Sequence, residues 1–383
     1  MRHQALSILA LCTTLATAQD FIHYRFDSNC TNEVLNLASG PGAFPANGVL
    51  QTNTSPTFDV GAFGACLAGG VDASNLYNRV NTGWTPSAQP LTGNLTFAFF
   101  AKLRNAHGTS LNYLCGVTTS ANRLFTNGIA QRGLYFRNVV SSGPQGVDLS
   151  ALTAVLDFQT LAATSWVHIA IVVDQPAGTA TWYANGTQVH QVSGVGGALI
   201  NSAGTFMVGS QLSTVESNYD LDEFLISNRA FSAAEVLVLS LSPRAGDGDY
   251  LSQIPSQCGA GNVTLASSGG APFAGNFAYS LDVSATTPQL FLLLAGFDRC
   301  FFSGVIPLPL DGTPLLALLN GCWILADAPV TLSGFTAGPP SSIPLPIPAA
   351  VSLPTGIYTQ VLAFDAATLA TSMSNGFATS IGN

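Results

Sequence analysis

The chain has 383 residues, 47% of them apolar and only 8% charged, with a formal net charge of −9. Apolar content that high excludes wholesale disorder, and an acidic chain with one lysine, Lys102, and no basic cluster argues against nucleic acid or an anionic membrane surface as partner. Its 38 glycines and 21 prolines favour short strands and turns over long helices, which draw on Glu, Lys, Arg and Ala.

The first residues carry the order of an export signal: a positive start at Met1-Arg2-His3, an apolar stretch over residues 6–15, and the small residues Ala16-Thr17-Ala18. Residues 1–18 are therefore predicted to be a signal peptide cleaved near Ala18. The mature protein is expected to be secreted, extracellular or cell-surface-associated. No later run of about 20 apolar residues predicts membrane insertion. The remaining length suits two domains, expected at 19–245 and 262–383 with a linker over 246–261. The chain has seven cysteines. Losing Cys12 with the signal leaves an even set, which in an exported chain implies disulfides. Without a Cys-x-x-Cys pair, zinc is a poor reading. Pairing of Cys30 with Cys66 and a bridge inside the second domain, with Cys258 and Cys322 as candidates, are favoured among the alternatives that spacing leaves open.

From residue 21 to about 243, short apolar or alternating runs separated by turn residues predict the strands of a sandwich. Residues 94–103, 166–174, 180–184 and 222–227 are the clearest. Asn185-Gly186 predicts a type I′ hairpin, because both residues accept positive φ. Ser232-Ala233-Ala234-Glu235 is a capping box that starts a helix running to Leu241. The polar, glycine-rich stretch that follows marks the domain boundary near residue 250. Beyond it, runs at 290–295, 322–326 and 358–364 predict a second, smaller β-sandwich. The proline-rich joints at 306–309 and 343–348 are confined to edges and connectors, since proline cannot donate to a ladder.

Several motifs, in order, carry a family resemblance. They are Tyr24-Arg25-Phe26-Asp27, residues 65–70 (Ala-Cys-Leu-Ala-Gly-Gly), Trp166 to Ala170, Trp182 to Gly186, and the closing Leu221-Asp222-Glu223-Phe224 with Asn228-Arg229-Ala230. With them the first domain resembles the laminin-G-like, concanavalin A-like superfamily found in exported bacterial proteins. The resemblance implies an all-β fold: a laminin-G-like antiparallel β-sandwich, or jelly roll, followed here by the second β-sandwich. The C-terminal part resembles a small module on such exported proteins, through residues 304–309 and 374–376.

A glycosidase of this superfamily would carry alternating carboxylates along one strand, and no such run is present. Asp222 and Glu223 are adjacent, so on a regular strand they face opposite sides and read as structural. His168 reads as packed between strand neighbours rather than as a base, and no nucleophile motif is present. No catalytic residue is therefore expected, and no cofactor is required. A structural calcium ion is the one implied by the resemblance, with Asp27, Asp72 and Asp222 as ligand candidates. For binding, Tyr77, Asn78, Arg79 and Trp84 in a turn-rich stretch form one candidate group. Asn127 and Arg132, within a second loop region at 123–137, form another. The expected function is non-catalytic recognition of an extracellular glycan or protein. The alternatives are a glycan-active hydrolase or lyase and a structural envelope or matrix component.

Overall fold

The computed structural model describes residues 20–27, 32–38, 43–52, 54–70, 77–105, 111–119, 121–127, 131–141, 149–151, 154–210, 217–250, 258, 262–297, 300–302, 306–308, 310–311, 322–336, 340–349, 355–365, 367–368 and 370–382. Two large antiparallel sheets, with the small pair Leu91–Gly93 and Ala198–Ile200, form the first domain. One runs in the order Thr187–Ser193, Thr179–Ala184, Val167–Asp174, Leu95–Leu103, Tyr219–Ser227, Ala65–Leu67, Phe58–Val60, with Asp20–Tyr24 also pairing to Tyr219–Ser227. The other runs Leu149–Ala151, Gln131–Arg137, Arg123–Asn127, Leu111–Val117, Phe206–Val208, Asn78–Asn81, Gly48–Thr52, Glu33–Val34. Side chains from both inner faces, among them Phe97, Phe99, Leu124, Phe136, Ile169 and Ile171, make one core. The fold is all-β, as the composition and periodicity predict.

The central strand Leu95–Leu103 is continuously apolar from Phe97 to Ala101 because both its faces are covered there. Phe97 and Phe99 enter the core, while Ala98 packs with Leu225 beneath the helix Ala233–Leu241 through Phe231, Val236 and Leu239. That helix begins with the predicted capping box: Ser232 Oγ accepts from Glu235 N, and Glu235 Oε2 accepts from Ser232 N at 2.8 Å. The Asn185-Gly186 turn has φ of 48° and 76°, as a type I′ hairpin demands, and Asn185 Oδ1 also accepts from His168 N at 2.9 Å. A short helix at Phe158–Thr164, capped by Asp157, was not expected. Among the described residues no helix is long and apolar enough to cross a membrane.

In the second domain, Gly246–Tyr250, Gly376–Ile381, Thr355–Asp365, Gln289–Gly296 and Val330–Thr336 pair in that order, with Thr371–Met373 beside Thr355–Asp365. The three strands Thr264–Ser268, Ser280–Ser284 and Ser341–Pro344 form a second layer. Leu265, Leu281, Val283, Phe291, Leu293 and Val361 fill the space between. Ser341–Pro344 is an edge strand, the place that proline permits. Within 246–261, expected as linker, Gly246–Tyr250 instead pairs along Gly376–Ile381. Its five residues satisfy their backbone groups by extending the sheet.

Cys258 and Cys322 are disulfide-bonded with Cα atoms 5.3 Å apart, and Cys300 is also in a disulfide. The expected Cys30–Cys66 bridge does not form. Cys66 is a free, buried thiol directed at the Val60 carbonyl 3.6 Å away, and burial pushes it up to about 12. Cys30 lies outside the described residues.

Trp84 is fully buried: its ring packs edge-on against Phe21 at 4.8 Å, lies 5.1 Å from Phe206, and its Nε1 donates to the Gln89 carbonyl at 2.8 Å. Its expected place in a binding surface is thus corrected, since an indole packed on all sides cannot stack on a ligand. Trp84→Ala should cost about 3–5 kcal/mol in urea unfolding, whereas Val60→Ala, at a site 80% exposed, should change stability by less than about 0.5 kcal/mol.

Candidate functional site

The strand Asp20–Tyr24 and the residues that follow it carry two basic side chains into the interior. His23 and Arg25 sit in an otherwise apolar run, and both are buried. A buried guanidinium needs compensating charge, and Glu223 supplies it from the closing strand. Arg25 Nε lies 2.9 Å from Glu223 Oε1, with exposures of 1% and 7%, and an Arg25 Nη lies 3.1 Å from Asp27 Oδ2. Its other Nη donates to Ser380 Oγ in the second domain. Glu223 Oε2 is 3.2 Å from His23 Nε2 and accepts from Arg244 N at 3.4 Å.

Backbone irregularity makes this convergence possible. Phe26 and Glu223 hold φ of 60° and 47°, values that side chains with a Cβ rarely adopt. The register of Tyr219–Ser227 against Leu95–Leu103 also shifts between Asp222 and Leu225. The regular alternation that would place Asp222 and Glu223 on opposite faces is therefore broken. Both side chains are buried and sense each other's charge. Asp222 Oδ1 accepts from Glu223 N at 2.8 Å and Oδ2 from Phe63 N at 2.9 Å, while Asp27 Oδ1 accepts from Ala65 N at 3.2 Å. The 61–65 turn is thereby held by two carboxylates. At Gly64, where φ is 79°, a Cβ would collide with Asp27.

Burial raises the Asp222 carboxyl well above the usual range, and neighbouring Glu223 adds to the effect. Burial alone would also raise Glu223, but Arg25 and then His23 outweigh it and hold that carboxyl low. Asp27 is pushed up to about 6 by burial, against the opposing pull of Arg25. His168 is pushed down to about 3 by burial and packs against Phe100 at 4.8 Å. It is neutral at physiological pH and poorly suited to act as a base.

This cluster floors a cavity of about 400 Å³ between the domains. Arg25 and Asp27 line it from the first domain, and Phe297, Tyr358, Thr379 and Ser380 from the second. The packing of Leu35 and Leu37 against Leu325, Ala378, Trp323 and Tyr358 closes one side of the junction. Phe297 is 68% exposed, and the Asp27 side chain 27%.

Of the predicted binding residues, none lines this cavity. Asn78 is buried, donating to Pro56 O at 2.9 Å and Ala68 O at 3.0 Å, so it is structural and not a ligand contact. Tyr77 and Arg79 stack on each other, 4.6 Å from guanidinium carbon to ring centroid, and Arg79 Nε donates to Gln51 Oε1 at 2.9 Å. The stretch 123–137, expected as loop, is a hairpin of Arg123–Asn127 and Gln131–Arg137, with Asn127 at its turn end. Arg132 is exposed and ion-paired to the helix-capping Asp157 at 2.7 Å. For calcium, Asp72 lies outside the described residues. Asp27 and Asp222 do not fit a cation: amides or Arg25 occupy their oxygens, whereas calcium takes six to eight oxygen ligands. Among the described residues no group of three His, Cys, Asp or Glu could hold a metal. Sequence reasoning missed the role of Arg25 and the contribution of Phe297, Tyr358 and Ser380. His23 and Arg25 alternating within an apolar strand were the available signal.

Residues 74–237 match the family model described as the concanavalin A-like lectin/glucanases superfamily, Laminin_G_3. The matched segment is similar to laminin-G-like domains. A comparison with curated proteins finds no match. Among solved structures, domain 4 of AbnA, a GH43 extracellular arabinanase from Geobacillus stearothermophilus in complex with arabinotriose, is 16% identical. It covers 58% of this chain and 99% of that one, with a TM-score of 0.39. The binding domain of Paraclostridial Mosquitocidal Protein 1 is 14% identical over 70% of this chain and 64% of that one, at 0.40. The botulinum neurotoxin serotype D ligand binding domain in complex with N-acetylneuraminic acid is 8% identical over 94% and 92%, at 0.39.

Asp27 leads to a pH prediction. Its folded value near 6 lies above the ordinary 3.8, so the folded chain takes up a proton in that interval which the unfolded chain does not, and this group contributes stability that is lost as pH rises through about 6. His168, held low, acts in the opposite sense. The discriminating quantity is thus the difference between wild type and Asp27→Asn. In urea unfolding the variant should be the more stable at pH 7, and the gap should close by pH 5. Solvent around the partly open side chain keeps the gap modest.

Proposed function

We propose that the protein is a secreted, non-catalytic recognition protein that binds an extracellular carbohydrate or protein, with the cleft between its two domains as the ligand seat. The cleft itself carries this reading. Its volume of about 400 Å³ falls in the range of small-ligand sites, which concentrate at domain junctions and combine aromatic walls with a few fixed polar groups. Tyr358 and Phe297 are the aromatic walls. Asp27, Thr379 and Ser380 are the polar groups, and Arg25 fixes Asp27 and Ser380. A sugar ring offers the complementary surface, with apolar C–H faces and hydroxyls at its edge.

The use made of the acidic side chains supports binding over hydrolysis. Both Asp222 oxygens accept backbone amides, and Glu223 is neutralised by Arg25 and His23. Neither carboxylate is left to donate a proton or to attack, and among the described residues the cavity-lining Asp27 has no second carboxyl beside it in the wall.

A glycan array probed with the full chain, in calcium and again with a chelator, tests the reading. Saturable binding to a defined sugar is expected, weakened about tenfold by Tyr358→Ala, the loss of one aromatic contact. Release of reducing ends or unsaturated products from any bound polysaccharide would overturn the non-catalytic assignment. Binding that survives Tyr358→Ala and Phe297→Ala together would remove the ligand from the cleft.

A further inference from the structure

We propose that the cleft selects amino sugars, with the Asp27 carboxylate receiving a protonated sugar amine; the inference rests on the cleft being the ligand seat and names the chemistry it takes. Among the described residues, two charged side chains line the cavity, Arg25 and Asp27. They are not equally open to it. The Asp27 side chain is 27% exposed and that of Arg25 1%, so the charge that a ligand meets is the carboxylate. Arg25 stands behind it, 3.1 Å from Asp27 Oδ2 and 2.9 Å from Glu223 Oε1.

That carboxylate is short of positive charge. Three carboxyl groups, Asp27, Asp222 and Glu223, share the Arg25 guanidinium: burial works against the Arg25 charge, and Glu223, Asp27 and Asp222 together outweigh it. His23 Nε2 lies against the second oxygen of Glu223, and Arg244 Nε is engaged by Asp20. The shortage therefore falls on the other two carboxyls. Burial and then Glu223 hold Asp222 toward its protonated form; at Asp27 burial prevails over the pull of Arg25, and Glu223 adds to the effect. Asp222 is sealed in the interior, whereas Asp27 faces the cavity. A cation arriving there supplies the charge that the floor lacks.

The acceptor sites that remain set the kind of cation. Asp27 Oδ1 accepts from Ala65 N at 3.2 Å and Oδ2 faces Arg25, whereas an ionised carboxylate has about four acceptor sites. About two are left, too few for calcium, which takes six to eight oxygen ligands. They suffice for an ammonium, whose charge-assisted hydrogen bonds are about twice as strong as those between neutral groups. Phe297 and Tyr358 in the same cavity add ring faces. Such faces attract a cation and also cover the C–H side of a sugar ring. An amino sugar presents both surfaces at once. An N-acetylated sugar has lost the charge, and a uronic acid would bring a further carboxylate to Asp27.

Calorimetric titration of the full chain with the β-1,4-linked hexasaccharides of glucosamine, N-acetylglucosamine and glucose, which differ only at C2, tests the inference. A buffer at about pH 6.5 lies above the Asp27 value of about 6 and keeps the sugar amine in good part protonated. The glucosamine oligomer should bind about tenfold or more tightly than the other two, by a margin that salt narrows. Asp27→Asn, which keeps the shape and an acceptor oxygen, should bring that ratio close to one, with a urea midpoint verifying that the variant is folded. Asp59→Asn removes the same charge from the surface, where Asp59 pairs with Arg104, and should leave the ratio unchanged; an equal loss there would mean general attraction to an acidic chain and overturn the inference. Equal binding of the three oligomers overturns the amine preference and leaves the cleft reading in place. Binding of none overturns the preference too, and the glycan array then decides the cleft reading by itself. A preference retained in folded Asp27→Asn also overturns it, as does Nα-acetyl-lysine amide binding as tightly as the glucosamine oligomer, which would point to a protein lysine instead.

Discussion

The junction between the domains depends on one buried guanidinium. Removing Arg25 from water is expensive unless its charge is matched, and its partners come from three places in the chain, two of them distant. Asp27 lies just beyond it, Glu223 on the strand that closes the first sandwich, and Ser380 on a strand of the second domain. Any displacement of one domain relative to the other would separate Arg25 from Ser380. Apolar packing around Leu35, Leu37 and Leu325 acts in the same direction, so burial and charge reinforce a single arrangement of the cleft walls.

The two sheets of the first domain finish their outward faces differently. The central strand Leu95–Leu103 is hidden on its outer side by the helix Ala233–Leu241, which is why its sequence does not alternate. The opposite sheet has aromatic rings under arginines where the other has a helix. A helix seals a face against solvent. Guanidiniums cover rings while keeping a charged surface, so that part of the second sheet stays polar to the outside.

Much of this architecture was legible from residue pattern alone. Apolar runs located the central strands to within a residue or so, Asn185-Gly186 located the tightest hairpin, and Ser232 with Glu235 located the helix start, because in each case a local rule and the tertiary structure agree. The site was far less legible. Trp84 looks like a ligand-stacking residue in a turn-rich stretch, and only the converging Phe21 and Phe206 reveal it as core. The Asp222–Glu223 pair is structural, as its adjacency suggested, but the regular alternation assumed for it is broken by the left-handed backbone at Glu223. Arg25 is hundreds of residues from Tyr358 and Ser380 in sequence, and no spacing rule connects positions joined only by the docking of two domains. The stretch 123–137 was noticed for its polar residues but taken for loop. Its hairpin register, which creates the rows of rings and arginines, depends on bulges at Phe125 that composition does not show.

The pairing of the first described strand with the last strand of its sandwich bears on how the protein is made. Asp20–Tyr24 is wholly buried and its strand partner is Tyr219–Ser227, with His23 and Glu223 separated by 200 positions. During synthesis the first strand emerges long before its partner exists, and closing so long a loop is slow. Until the closing strand arrives, the sheet that will hold both has an open edge and a half-covered core, the condition in which nascent β-proteins aggregate. The early segment must therefore wait without its ladder partner, held only by its bonds to the nearby 36–44 segment, and chaperones that shield it while the chain lengthens would act on the yield of the protein without touching the finished fold.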